Sequence, residues 1–182
     1  YNNIFVQKWP ADPFEVRSDS TTAVMTENRE VGTHLFDEYP TYEAWIAQFQ
    51  MDTDTPDMAQ LEKAHFAHLP VWAEGNAYLG GAKAWKHEEH QLTAQGDGLR
   101  VELTEKDGHP CLDTNLYDLL KDFRCDMIST DTLGRAFEPD QRFEQPDGTD
   151  ITFDRDYAGD HRGVSILPGP FATPADAEKP LW

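Results

Sequence analysis

The sequence predicts a mainly β protein formed by the end coils of a parallel β-helix, with a helical insertion and an antiparallel β appendage toward its C-terminal end. Two observations support this fold class. The segment Asn76-Ala77-Tyr78-Leu79 repeats the pattern of Asn3-Ile4-Phe5-Val6, in which an Asn precedes alternating aliphatic and aromatic residues typical of a short strand. Between the two copies the apolar spacing becomes helical, and after residue 85 short alternating segments are separated by turn residues.

The Asn before each strand suits a sharp corner, because its short side chain tolerates a left-handed backbone and forms local hydrogen bonds. A corner followed by a short apolar strand is the unit of a solenoid. In a parallel β-helix such units stack about 4.8 Å apart, so that corner Asn residues can form a ladder of amides. Two copies are too few to establish a repeat, and two unrelated strands remain the alternative.

Two helices are predicted between the copies, in an insertion at about residues 41–69. Tyr42, Trp45, Ile46 and Phe49 follow the i, i+3, i+4, i+7 spacing of one helix face, and Thr41 is the predicted N-cap. A second helix is predicted from Thr55, with Pro56 in its first turn, to a point before Pro70. The segment from Trp9 to Glu30 lacks periodicity and is predicted as loop.

We therefore divide the chain into terminal β-helix coils with their insertion, residues 1–84, and a β-rich appendage with an extended tail, residues 85–182. Leu99, Val101 and Leu103 alternate with polar residues as one strand, and Asp107-Gly108 is a turn before a strand at residues 111–116. Residues 117–123 fit a short helix or an irregular strand. Further short strands are expected at residues 127–133, 143 and 151–153, and the tail from Leu167 is expected to run over the surface.

The charge of the chain limits its partners. Fifteen Lys and Arg stand against 34 Asp and Glu, a formal net charge of −19. This surface repels phosphate backbones and anionic membranes, so we expect neither nucleic acid nor a membrane as a partner, and an uncharged substrate fits better.

Cys111 and Cys125 could form one disulfide or stay as two free thiols, and the sequence leaves both alternatives open. Since the chain begins inside a strand-like segment, we expect a piece of a longer polypeptide. We expect a cytoplasmic location, with an extracellular location as the alternative. A homo-oligomer is also possible from the sequence.

Several short motifs, in the same order over most of the chain, resemble the C-terminal part of right-handed parallel β-helix glycosidases. Among these, they resemble glycoside hydrolase family 120, the β-xylosidases. They are Tyr-Asn-Asn-Ile-Phe-Val at 1–6, Leu-Pro-Val-Trp-Ala-Glu-Gly-Asn-Ala-Tyr at 69–78, Gly-Ala-Lys at 81–83, Thr-Leu-Gly-Arg-Ala-Phe at 132–137, Phe-Glu-Gln-Pro-Asp-Gly-Thr at 143–149 and Asp-Tyr at 156–157. The resemblance implies a retaining, exo-acting enzyme that releases xylose from xylo-oligosaccharides with two carboxylates about 5 to 5.5 Å apart. In that family the pair lies upstream of the first motif, so no catalytic residue is assigned here.

Trp72 and Glu74 are the candidate substrate-binding residues. Two positions apart on a strand, they would face the same side. An aromatic plane can stack on a pyranose ring while the carboxylate accepts hydrogen bonds from sugar hydroxyls. The alternative is a surface Glu beside a packed Trp.

No metal and no cofactor are predicted. His87-Glu88-Glu89-His90 lacks the His-Glu-x-x-His order of zinc hydrolases and is interpreted as a solvated polar turn. The resulting functional prediction is the C-terminal portion of a β-xylosidase-like glycoside hydrolase, inactive alone. A non-catalytic carbohydrate-binding or structural β-helix module is the alternative, and a polysaccharide lyase on the same scaffold is a third.

Overall fold

The computed structural model describes residues 1–8, 13–16, 25–28, 30–50, 54–55, 57–136, 139–175 and 180–181, with the backbone alone for 13–16 and 25–28. The strands in chain order are β1 (Ile4–Val6), β2 (Pro13–Val16), β3 (Met25–Asn28), β4 (Asn76–Leu79), β5 (Gln91–Ala94), β6 (Val101–Lys106), β7 (His109–Thr114), β8 (Cys125–Asp126), β9 (Arg135–Ala136), β10 (Gln141–Arg142) and β11 (Ser165–Ile166). The α-helices are α1 (Tyr42–Ile46), α2 (Met58–His65), α3 (Leu116–Leu120) and α4 (Thr130–Leu133), and short 3-10 turns lie at His34–Phe36 and Ala47–Phe49.

A three-stranded parallel sheet in the order β1-β4-β5 is the centre of the fold. Ile4 lies opposite Ala77, and Ala77 lies opposite Leu92. The two copies of the Asn-containing pattern therefore stack in register as neighbouring parallel strands. The third strand lies beyond residue 84, so the parallel sheet continues past the predicted division of the chain.

The amide ladder is present, but the left-handed corners lie one residue earlier than predicted. Asn2 has φ +57° and Gly75 has φ +72°. Asn3 donates to the Asn76 Oδ1 from its backbone N at 2.9 Å and from its side-chain Nδ2 at 3.0 Å. A Cβ at residue 75 would lie 2.0 Å from the Asn2 Oδ1, so the close stacking of the two corners favours glycine there.

The hydrophobic core lies between the parallel sheet, α3 and the beginning of the tail. Its buried members are Ala77, Leu79, Leu116, Tyr117, Leu120, Leu167 and Phe171. Leu167 and Phe171 belong to the segment expected to run over the surface. They are buried because the tail supplies apolar side chains to a core that the short strands cannot fill alone.

The insertion contains both predicted helices, and an additional hairpin precedes it in the chain. The Thr41 Oγ1 accepts a hydrogen bond from the Ala44 N at 3.2 Å, as expected for the N-cap of α1. Helix α2 begins at Met58, later than predicted, because Asp57 is its N-cap. Strands β2 and β3 pair as an antiparallel hairpin within the segment predicted as loop. The prediction was wrong for these strands because their formation depends on pairing with each other, which the local residue pattern does not indicate.

Small antiparallel elements make up the C-terminal half. The β6-β7 hairpin turns at Asp107 and Gly108, with φ values of +53° and +78°, as predicted. Helix α3 settles the alternative left open for residues 117–123. The predicted strand at 127–133 is wrong: the Ser129 and Thr132 side chains form a capping box that starts α4. The strands expected near 143 and 151–153 are single bridges, from Glu144 to Asp150 and from Ser129 to Thr152.

Cys111 and Cys125 are both buried and free, so the open alternative resolves to two thiols. The Cys125 thiol donates to the Gly75 carbonyl at 3.0 Å. Within the described residues, we find no helix that is both long and apolar enough to cross a membrane.

Candidate functional site

A surface cavity of about 220 Å³ lies where the helical insertion meets the segment that leads into β4. Both candidate binding residues, Trp72 and Glu74, line it. The other lining residues are aromatic, acidic or imidazole-bearing for the most part: Tyr1, Thr41, Tyr42, Glu43, Val71, Ala73, Trp85, His87, Glu89 and His90. Residues 71–74 precede β4 and are not in a strand, so the shared cavity, and not strand alternation, brings Trp72 and Glu74 together.

Trp72 is half-exposed, with 49% of its surface accessible. Its ring stacks on that of Tyr42, with centroids 5.9 Å apart and an interplanar angle of 26°. Tyr42 is placed by the Thr41 cap at the first turn of α1, and the Val71 N donates to the Pro40 carbonyl at 3.1 Å. The insertion and the strand segment are thus joined directly beside the aromatic pair.

Glu74 is exposed, and Tyr1 lines the same cavity. The Asn2 N donates to the Glu74 carbonyl at 3.0 Å, which ties its backbone to the preceding corner. Burial raises the pKa of the Tyr1 hydroxyl, and the nearby Glu74 carboxylate raises it further. Tyr1 therefore stays a neutral hydroxyl beside an acceptor, a pair suited to sugar hydroxyls.

The segment His87-Glu88-Glu89-His90 is part of this site and is only partly solvated, contrary to its interpretation as a polar turn. Glu88 is 4% exposed. Its Oε1 accepts from the Asn76 N at 3.1 Å and from the Asn76 Nδ2 at 2.8 Å, and its Oε2 accepts from the Tyr78 hydroxyl at 2.5 Å. His90 is also engaged: its Nε2 lies 2.7 Å from the Arg124 carbonyl.

Tyr78 links this carboxylate to Thr33, which precedes the insertion in the chain. Its hydroxyl lies 2.7 Å from the Thr33 Oγ1, which accepts from the Trp85 N at 2.8 Å. Burial, followed by the hydrogen bond to Glu88, raises the pKa of Tyr78 far above its ordinary value, so the hydroxyl is a neutral donor. The buried network holds Trp85 and the 87–90 segment against β4. No sequence pattern indicated Glu88, because its partners lie 10 and 12 residues away on a strand.

A second, larger cavity of about 770 Å³ adjoins the first. It shares Tyr1, Tyr42 and Trp72 with the first cavity. Its remaining lining comes from the C-terminal half: Thr132, Leu133, Gly134, Arg135, Ala136, Asp140 and Phe143. The stacked Tyr42-Trp72 pair therefore separates an acidic compartment from a more apolar one.

The acidic compartment can accept hydrogen bonds from hydroxyl groups and offer a ring face for stacking. Among the described residues, no group of three or more His, Cys, Asp or Glu side chains is arranged to hold a metal ion. The described residues of this site can therefore bind a ligand through aromatic surfaces, carboxylates and imidazoles.

No protein-family model matches the chain, and no curated protein matches it. Among solved structures, the chain is similar to XylC, whose structure was determined in complex with xylose. The TM-score is 0.70 and the sequence identity 25%, over 94% of this chain and 24% of the XylC chain. The chain thus spans about a quarter of the length of the structure it matches. Over nearly all of its own length, it is similar in fold and sequence to part of a protein that binds xylose.

Proposed function

We propose that this chain is the C-terminal portion of a carbohydrate-active, right-handed β-helix enzyme: a retaining exo-β-xylosidase that acts on xylo-oligosaccharides. Its catalytic carboxylates would lie upstream of Tyr1. The similarity to XylC and the resemblance to family 120 support a glycosidase relationship. The in-register stack of β1, β4 and β5 is the arrangement that successive β-helix coils would have.

The observation that carries the proposal is the convergence of Trp72, Tyr42 and Glu74 on one cavity. Two stacked aromatic side chains that line a cavity form an exposed apolar surface of the kind that marks ligand-binding grooves, and a pyranose ring offers a C–H face that can stack on them. The carboxylates of Glu43, Glu74 and Glu89 line the same cavity and are acceptors for the hydroxyls around that ring. In this proposal the chain supplies one wall of the substrate pocket.

Turnover tests the enzymatic part. Release of nitrophenol from 4-nitrophenyl β-D-xyloside is measured for the 182-residue chain and for the longer polypeptide that would carry the upstream coils. We expect activity from the longer polypeptide alone. Activity in the short chain would refute the upstream position of the carboxylates, and xylose binding without turnover in either would favour a non-catalytic carbohydrate-binding module.

Binding to the 182-residue chain tests the pocket wall directly. Xylobiose is titrated by NMR into the chain and into variants Trp72→Ala and Glu74→Gln, with Phe66→Ala and Glu62→Gln as matched controls. Phe66 and Glu62 are exposed and lie outside both cavities. We expect about tenfold weaker binding for Trp72→Ala, from the loss of one aromatic stacking contact. Equal affinities for all five proteins would contradict the assignment of Trp72 and Glu74.

A further inference from the structure

The larger cavity differs in chemistry from the acidic one, although the two share an aromatic boundary. Part of its lining is the stacked pair Tyr42 and Trp72. The lining from the C-terminal half includes the apolar side chains of Leu133, Ala136 and Phe143. Phe143 is 41% exposed, although a side chain of this kind is usually buried.

The segment that carries Phe143 is held in place by buried and charged contacts. Thr130 is 1% exposed, and its Oγ1 donates to the Phe143 carbonyl at 2.6 Å and accepts from the Ile151 N at 2.8 Å. The neighbouring Arg142 forms ion pairs with Glu144 at 3.1 Å and Asp150 at 3.0 Å. The Phe143 backbone is therefore fixed on both sides, and its ring is presented by a formed wall.

Two polar side chains that line this cavity, Thr132 and Arg135, are already engaged within the protein. The Thr132 Oγ1 accepts from the Ser129 N at 2.5 Å and donates to the Ser129 carbonyl at 2.9 Å. Arg135 donates from its guanidinium to the Asp140 carbonyl at 2.6 Å and pairs with the Asp140 carboxylate at 3.4 Å. These two side chains offer little to a polyhydroxylated ring, because satisfied polar groups gain little from a ligand.

We propose that this second cavity binds the planar aromatic aglycone of an aryl glycoside whose sugar occupies the acidic cavity. The ring lies between Phe143 and the Tyr42-Trp72 pair and is recognised by apolar contact and stacking. The volume suffices, since an apolar cavity of about 150 Å³ already admits benzene. The position of the sugar rests on the proposed function; the aromatic site does not.

The test compares phenyl β-D-xyloside with methyl β-D-xyloside, which carry the same sugar, by NMR titration of the 182-residue chain. We expect the phenyl glycoside to bind about threefold to tenfold more tightly, the range of one or two aromatic contacts. Phe143→Ala should bring this ratio close to one. Phe153→Ala is the control, because Phe153 is exposed and lies outside both cavities.

A ratio that is unchanged by Phe143→Ala would overturn the inference. If neither xyloside binds, free phenol is titrated in the same way. Phenol binding that depends on Phe143 would then support the aromatic site while the proposed sugar site fails. Phenol binding that is independent of Phe143, or no phenol binding, would overturn the inference.

Discussion

Replacing Glu88 is expected to destabilise the fold far more than its place in a run of polar residues suggests. In Glu88→Ala, the Asn76 N and Nδ2 lose their acceptor in a buried site. Tyr78 keeps the Thr33 hydroxyl as a partner, so two donors remain unsatisfied. Since each costs about 1–3 kcal/mol, the free energy of unfolding should fall by about 2–6 kcal/mol.

Glu88→Gln separates the hydrogen bonds from the charge. The amide oxygen can accept both Asn76 donors, and the amide nitrogen can donate to the Tyr78 oxygen, so a loss of about 0.5–1.5 kcal/mol is expected. Glu89→Ala is the matched control, because Glu89 is exposed and should change the unfolding free energy by less than about 0.5 kcal/mol.

Urea unfolding, followed by circular dichroism, measures all three differences, provided that the transition is cooperative with an unchanged denaturant slope. The reasoning would be refuted if Glu88→Ala and Glu89→Ala unfolded within about 1 kcal/mol of each other.

Three further predictions concern stability and ionisation. Gly80→Ala should lower the free energy of unfolding more than Gly81→Ala, by at least about 1 kcal/mol. Both residues have positive φ, but a Cβ at residue 80 would lie 2.5 Å from a backbone carbonyl oxygen, whereas a Cβ at residue 81 meets open space. Equal urea midpoints for the two variants would contradict this prediction. Burial raises the pKa of the Cys125 thiol from 9.0 to about 11, so its contribution to stability is complete below pH 9 and is lost as the pH rises toward 11; Cys125→Ser should lose less stability than the parent between pH 8 and pH 10.5 in the same assay. The hydrogen bond from the Thr149 side chain lowers the pKa of Asp147, so Thr149→Val should raise that pKa in an NMR titration, and an unchanged titration would contradict the assignment.

The sequence predicted the features that depend on local pattern. The Asn-strand unit identified which strands stack, since an amide ladder requires the same residue at the same position of each copy. The Thr41 cap and the Asp107-Gly108 turn were predicted because their side-chain and backbone preferences act within a few residues. The short motifs suggested a carbohydrate-active protein, and the chain is similar to part of XylC, whose structure was determined with xylose.

Features that depend on distant partners could not be predicted in this way. Strand β5 lacks the leading Asn, and only its pairing with β4 shows that it belongs to the sheet. Glu88 looks like any surface acid until Asn76 and Tyr78 surround it. The residues 130–133 have strand-like composition, yet the Ser129 capping box and Gly134 favour a short helix. Trp72 and Glu74 were predicted as a pair, whereas Tyr42 was predicted only as part of a packed helix face.

The long excursion between the first two stacked strands has a consequence for how this fold could diversify. Asn3 and Asn76 are 73 residues apart, whereas Asn76 and its partner Gln91 differ by 91 − 76 = 15. Closing the longer loop costs only about 1.4 kcal/mol more, because loop-closure entropy grows with the logarithm of length. The insertion that contributes Tyr42 could therefore be shortened, lengthened or exchanged at little thermodynamic cost. Ligand preference would then evolve in the excursion while the amide ladder keeps the strands in register.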